Sequence, residues 1–312
     1  MIQYLRHKEI DKMKWDRCIE HSVDRRIYAF SWYLDRVCPG WEALVEEDYS
    51  AVFPLTGNRR FGIHYLYQPF FTQQLGVFSC FPQEREQMTA FFKAIPGHFR
   101  FAEICMHSGM NFCPDGWDAT RRTNHELSLH GSADDIRNLY DQNTRRNIKK
   151  ATAKDINPGA PPTPAALIGL FRKTYGVKEG KLKDVHYQTA TLLLNDLILR
   201  EKAHTEGIYD RNGILMAGAC LAFDRERYYF LFAASSPQAR ENGAMFLLID
   251  RFIQQHARQQ AMLDFEGGND AGTGRFYKGF GASEVRYLFL SLNRLPLHCR
   301  IALNLKAKLS GS

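Results

Sequence analysis

One order of patterning constrains this chain more than any single motif: strand-like runs, an amphipathic helix and a further strand follow one another twice. In the first half, residues 41–54 read as two strand-like runs broken at Glu46, Glu47 and Asp48, with β-branched or aromatic stretches at 62–67 and 74–78. Residues 82–95 then fit a helix with proline near its start and Gly97 past its end, and 99–105 fit a strand. In the second half, 207–210, 214–223 and 227–234 read as a meander with turns at 211–213 and 224–226. Met245, Leu248, Ile249, Phe252, Ile253 and His256 recur at helical spacing before a strand at 262–266. Identity between the halves is too low for a sequence repeat, so the architecture alone recurs. The expectation is an α+β chain of two domains, 1–130 and 131–312.

Helices are also expected at 11–20 and 31–37. Between the halves, Ser132 with Asp135 resembles a capping box, and a connecting helix is expected over 133–153. The proline-rich run 157–164 is the sharpest break, and helices follow at 165–175 and 187–202.

Charge is uneven along the chain. Residues 1–130 carry 15 Lys and Arg against 16 Asp and Glu, whereas 131–312 carry 26 against 18. The second part would attract a polyanion such as RNA, a nucleotide cofactor or an acidic head group. The seven cysteines form no C-x-x-C pair and sit among apolar neighbours, as small buried thiols do. No H-E-x-x-H or other ligand spacing occurs, so no metal is expected. No apolar run of about 18 residues could span a bilayer, and the N-terminus lacks a signal-peptide core. The expected compartment is the cytoplasm.

Three stretches carry candidate chemistry. Arg145 with Lys149 and Arg146 with Lys150 stack like charges at i, i+4, a strain that an anionic substrate would relieve. Ser235, Arg240, Gly243 and Ala244 lie at the start of the long second-half helix, where free N–H groups hold phosphate. The stretch 262–281 reads Met-Leu-Asp-Phe-Glu-Gly-Gly-Asn-Asp-Ala-Gly-Thr-Gly-Arg-Phe-Tyr-Lys-Gly-Phe-Gly. Glycines at this density bend a backbone sharply or let it approach a ligand, which adds Gly267 and Gly268 to the donor-binding candidates. Asp264 and Glu266 alternate with apolar residues on a strand and so share a face, where either could take a proton from an attacking amine. Tyr277 and Lys278 could donate to an oxyanion. A solvated basic face, an N-capped helix and acids paired with Arg275 or Arg286 explain these features singly; their clustering favours function.

Together these residues carry a resemblance. Arg-Arg-Asn-Ile-Lys-Lys-Ala ending at Ala151, Ser-Ser-Pro-Gln-Ala-Arg-Glu-Asn-Gly-Ala ending at Ala244, Leu-Asp-Phe-Glu-Gly-Gly ending at Gly268, and Arg-Phe-Tyr-Lys-Gly-Phe-Gly ending at Gly281 resemble the FemABX-like branch of the GNAT N-acyltransferase superfamily. The stretch 67–76, Tyr-Gln-Pro-Phe-Phe-Thr-Gln-Gln-Leu-Gly, is similar to bacterial relatives. The resemblance implies two tandem GNAT-like domains, each a mixed, largely antiparallel sheet flanked by helices. It implies transfer of an acyl or aminoacyl group to a small-molecule or peptide-like amine, such as a cell-envelope or peptidoglycan precursor. Acyl-CoA and aminoacyl-tRNA are both open as co-substrate, with no tightly bound cofactor and with tRNA a candidate partner. Glu266, Asp264, Tyr277 and Lys278 are the catalytic candidates, and Gln73, Arg275 and Phe276 join the basic helix as substrate-binding candidates. The tail at 295–309 is expected to pack as a helix on its own domain, with a peripheral membrane contact as a basic amphipathic helix the alternative. Oligomeric state is left open. The rival expectation is a non-catalytic tandem GNAT-like module that binds RNA or an envelope precursor.

Overall fold

The computed structural model describes residues 1–154, 156–176 and 182–296. The described residues form two compact units, one of Met1–Arg121 with residues 287–296, the other of Arg122–Arg286. Where patterning suggests a boundary at 130/131, the division falls at 121/122 and the chain returns to the first unit at Tyr287. The tail proposed for membrane contact lies, beyond residue 296, outside the described residues. No described helix is long and apolar enough to cross a membrane.

The first unit opens with β1 (Ile2–Leu5), α1 (Lys12–His21) and α2 (Ser31–Val37), and Asp11 caps α1 by accepting from the amides of Met13 and Lys14. Strands β2 (Glu42–Glu46), β3 (Ala51–Leu55), β4 (Gly57–Arg60), β5 (Ile63–Tyr67) and β6 (Phe78–Ser79) follow, then α3 (Arg85–Ala94) and β7 (Phe99–Cys105). One sheet runs β1-β2-β3-β6 and is antiparallel. In the other, β4 pairs antiparallel with β5, and α3 makes the crossover that lets β5 and β7 run parallel. Leu44, Phe53, Leu66, Phe91 and Phe99 close the core, each contributing roughly 1.5–3 kcal/mol over the exposed state.

β8 (Asp118–Ser128) brings the chain into the second unit. Ser132 caps α4 (Ala133–Asn138) in a capping box with Asp135. The single helix expected over 133–153 is in fact two, because Asp141 accepts from the Thr144 amide and starts α5 (Gln142–Thr152) afresh. β9 (Ile156–Pro158), α6 (Pro164–Phe171), a π-helical turn at Arg172–Gly176 and α7 (Asp184–Leu199) lead into β10 (Ala203–Asp210), β11 (Leu215–Asp224) and β12 (Arg227–Ser235). Then come α8 (Pro237–Asn242), α9 (Ala244–His256), β13 (Met262–Asp264), α10 (Ala271–Lys278) and β14 (Ser283–Asn293), whose second half pairs antiparallel with β7 in the first unit.

The second unit's strands run β8-β13-β12-β11-β10-β9. Only β12 and β13 are parallel, joined across α9. Both units are thus mixed, largely antiparallel sheets with helices, as patterning and resemblance imply. Tyr140, Ala151, Leu248, Phe252, Phe230, Phe265 and Phe280 belong to the second core. Of the described cysteines, Cys18, Cys38, Cys105 and Cys220 are buried as expected, whereas Cys80 is exposed and Cys113 half-buried.

Candidate active site

The site forms where β12 and β13 part. Their parallel ladder holds Arg227 to Met262, Tyr228 to Leu263 and Tyr229 to Asp264, and there it ends, while β12 runs on to Ser235. Among the described residues no strand pairs with β12 on that side from Phe230 onward. On its other side β12 pairs with β11, and the register slips at the same place. Ala222 faces Tyr229 and Cys220 faces Phe232, so Phe230 and Leu231 together oppose Leu221. That is a β-bulge, which bends a strand and withdraws one residue from the ladder. It also switches the strand's faces. Phe230 packs toward Phe265 at 6.1 Å between ring centroids, and Phe232 toward Phe171 of α6 at 4.8 Å.

Beneath this parting lies a buried polar network. Asp264, 1% exposed, accepts from Asn124 Nδ2 at 2.7 Å and from the Glu266 amide at 2.9 Å on Oδ1, and from Arg227 Nη1 at 2.9 Å on Oδ2. Arg227 also donates to Glu126 at 2.7 Å. Burial works against the Arg227 charge, but the Asp264 and Glu126 carboxylates outweigh it and hold the guanidinium pKa above its ordinary value. Asn124 Oδ1 accepts from the Gly267 amide at 2.9 Å, and Asn269 Oδ1 from the Thr123 amide at 2.8 Å. The acceptors of Asp264 are therefore spent on fixing the turn that follows it.

That turn departs from expectation. The strand predicted to reach residue 266 ends at Asp264, and Glu266 takes a left-handed backbone with φ of 58°, so the two carboxylates do not alternate on one strand face. Gly268 has φ of 126°, and a Cβ there would stand 2.1 Å from His125 Nδ1. His125, 1% exposed on β8, meets the Gly267 carbonyl through Nδ1 at 2.9 Å, while its buried Nε2 has no hydrogen-bond partner among the described residues. The stretch 271–278, read as glycine-rich turn, is helical. Asp270 accepts from the amides of Gly272 and Thr273, and Gly274 lacks a side chain where the Gly268 carbonyl would lie 2.9 Å from a Cβ.

α10 divides the remaining candidates. Tyr277 stacks on Phe265 at 4.5 Å and lies 6.0 Å from the His125 ring and 6.5 Å from Phe230, which brings it to the same parting as Glu266, Gly267 and Gly268. Phe276 packs on Phe246 and Phe280 as part of the core. Lys278 instead pairs with Glu284 at 2.9 Å, more than half exposed, and Arg275 is exposed. Gln73 belongs to the first unit, where its Oε1 accepts from Gln74 Nε2.

The phosphate-binding expectation for residues 235–244 meets a packed junction. Ser235 is buried at the far end of β12, in register with Ala217. Gly243, φ 77°, ends α8 and starts α9, and a Cβ there would lie 2.6 Å from the Asn147 carbonyl of α5. Ala244 is fully buried. On α5, Arg145 donates to the carbonyls of Arg137, Asn138 and Tyr140, the unsatisfied end of α4. With Arg137, Tyr140, Ile148 and Lys149 it lines a cavity of about 340 Å³, whereas Arg146 donates to Asn143 and Lys150 is exposed. The last turn of α5 carries Lys149 and Lys150, where the helix dipole itself offsets like-charge repulsion. Among the described residues no group of three His, Cys, Asp or Glu could hold a metal.

His125, Asn124, Glu126 and Arg227 were not singled out from the sequence. Their signal is three-dimensional, since register sets Glu126 opposite Asp264 and Tyr229 beside it.

No protein-family model matches the sequence, and no curated protein matches it. Solved structures share its fold. FemX aligns with a TM-score of 0.62 at 12% identity, covering 96% of this chain and 99% of FemX. A conserved protein of unknown function from Bacteroides thetaiotaomicron VPI-5482 aligns at 0.60 and 12%, covering 93% of this chain and 99% of its own. L-PGS from Bacillus licheniformis aligns at 0.50 and 9%, covering 86% and 90%.

Proposed function

We propose that this chain, whose fold is GNAT-like and of the FemABX type, is an N-acyltransferase that moves an acyl or aminoacyl group from an activated donor to an amine. The observation that carries the reading is the coincidence of the β12 bulge, the end of its ladder with β13, and Glu266 on the turn that leaves the ladder. A donor arm rich in amides pairs with the open edge of β12 as an added strand would. Its carbonyl then lies at the bulge, where one residue is out of the ladder.

The acceptor amine attacks that carbonyl carbon and forms the C–N bond. Its surplus proton passes to Glu266, while a bulge N–H and Tyr277 stabilise the oxyanion. Collapse breaks the bond to the leaving group and expels a thiol from acyl-CoA or a ribose hydroxyl from aminoacyl-tRNA, which takes up the proton. Asp264 and Arg227 hold the turn in place and do not touch the reacting atoms. The acceptor class is a small-molecule or peptide-like amine, including cell-envelope precursors.

Purified protein offered acetyl-CoA and charged tRNA in parallel, with mixed amines, tests this. One donor should be consumed, and Glu266→Gln should lower kcat by about 10²–10⁴ while leaving donor affinity intact. Consumption of neither donor would end the enzymatic reading. The cavity of Arg137, Arg145 and Lys149 favours a second reading, a non-catalytic module for an anionic ligand such as RNA. It predicts salt-sensitive binding without turnover, unaffected by Glu266→Gln.

A further inference from the structure

The hairpin between β4 and β5 breaks the usual chemistry of its own turn. Arg60 pairs with Ile63, leaving Phe61 and Gly62 as a two-residue loop with φ of 51° and 78°. Both values are left-handed, as a type I′ turn requires, and such turns favour Asn-Gly or Asp-Gly. A phenylalanine in the first position is crowded by its own Cβ. It gains no burial in return, because Phe61 is 89% exposed. A residue that costs stability in its turn and packs only against the guanidinium of its neighbour Arg60 is a candidate for contact with something outside the chain.

The surroundings specify the contact. Arg59 and Arg60 lead into the tip at the end of β4, both exposed, and the Arg60 guanidinium lies over the Phe61 ring at 5.2 Å. From Gly62 and Ile63 a cavity of about 370 Å³ continues along His64, His98 and Arg100. One aromatic wedge therefore stands ahead of a local group of cations.

We propose that this hairpin tip is a membrane-interface contact, in which Phe61 enters the headgroup region of an anionic phospholipid surface and Arg59, Arg60 and Arg100 meet the lipid phosphates. An apolar wedge with a few cations behind it is the two-signal arrangement that gives reversible surface binding. Nucleic acid fits less well on two counts. Arg60 already covers one face of the ring on which a base would stack. Residues 1–130 also balance 15 basic against 16 acidic side chains, so this half lacks the broad basic field that a polyphosphate chain needs. This inference stands apart from the acyltransferase reading, and its test reads no turnover.

Co-flotation of the full chain with vesicles of phosphatidylglycerol and phosphatidylcholine, against phosphatidylcholine alone, is the experiment. Binding should require the anionic lipid and weaken with salt. Phe61→Asn should cut partitioning about tenfold or more, and should raise Tm because asparagine suits the turn, which separates lost contact from misfolding. Arg59→Glu should cut it about fivefold or more. Phe61→Trp should retain binding and shift its emission to the blue on anionic vesicles. No flotation of the wild type, equal flotation of Phe61→Asn, or a Phe61→Asn defect confined to tRNA binding would each overturn the proposal.

Discussion

Arg227 is the side chain on which the geometry of the site most depends. Its guanidinium joins Glu126 and Asp264, whose side chains are 10% and 1% exposed, and through Asp264 it sets the Glu266 amide. A buried pair is weak evidence of net stabilisation, since desolvation offsets the Coulombic gain, but removing one partner leaves the other charge uncompensated. Arg227→Met should therefore cost about 3–5 kcal/mol in urea unfolding. Adding Asp264→Asn and Glu126→Gln should recover part of that loss, because no carboxylate is then stranded. A cost of Arg227→Met near that of a surface pair, about 1 kcal/mol or less, would show that water screens the network and that it does not fix the turn.

At the scale of elements, the parallel crossover is used differently in the two units. In the first, the edge of β7 beyond its ladder with β5 is taken up by the chain itself: the Leu75 amide donates to the Cys105 carbonyl, the His107 amide to the Leu75 carbonyl, and Gln68 Oε1 accepts from the Cys105 amide. In the second, β12 keeps its edge beyond Tyr229 without a paired strand among the described residues. The helix that makes this second crossover begins at Gly243, and there the packing leads to a prediction. Gly243→Ala should lower stability by more than about 1 kcal/mol, since it strains a left-handed φ and collides with the Asn147 carbonyl. The KM for donor should stay unchanged; a raised KM with unchanged Tm would return this glycine to donor binding. The elements legible in sequence are those with local period, such as α1, α3, α9 and the meander β10 to β12, because one buried face writes itself into spacing. The α10 helix was not legible, because its glycines mimic a turn while the Asp270 cap and the burial of Phe276 and Tyr277 against the core decide otherwise. Nor was the bulge, since slipping one residue within the apolar run 230–234 of β12 changes no pattern. Of the site, Asp264, Glu266, Tyr277 and the Gly267-Gly268 pair were visible because they are neighbours in sequence. His125 and Arg227 reach it only through strand pairing.

For the molecule as a whole, each unit carries its own acid-sensitive histidines. In the first, His107 is 2% exposed, with Nε2 against the Val77 carbonyl at 2.8 Å and Nδ1 3.5 Å from Asp24. Burial pushes its pKa down; Asp24 pulls the other way, and nearby Arg26 adds to the lowering. In the second, the rings of His204 and His256 stack 5.8 Å apart. Burial lowers both, His256 further lowers His204, and the Phe252 carbonyl partly restores His256. A folded pKa below the unfolded one means that stability is fully present above the unfolded value, about 6.5 for histidine, and is lost as pH falls through the folded value. Glu206 has the opposite sign. Burial raises its pKa, against the pull of Arg251, so acidification through that raised value returns some stability to the second unit. Calorimetry should accordingly find Tm level above about pH 7 and falling between about pH 6.5 and 5. The loss should be blunted in the first unit by His107→Gln, and in the second by His204→Phe, which keeps the stack on Phe252 without a titrating ring. A Tm that held level or rose over that interval would mean that these histidines titrate as freely in the folded protein as in the unfolded chain.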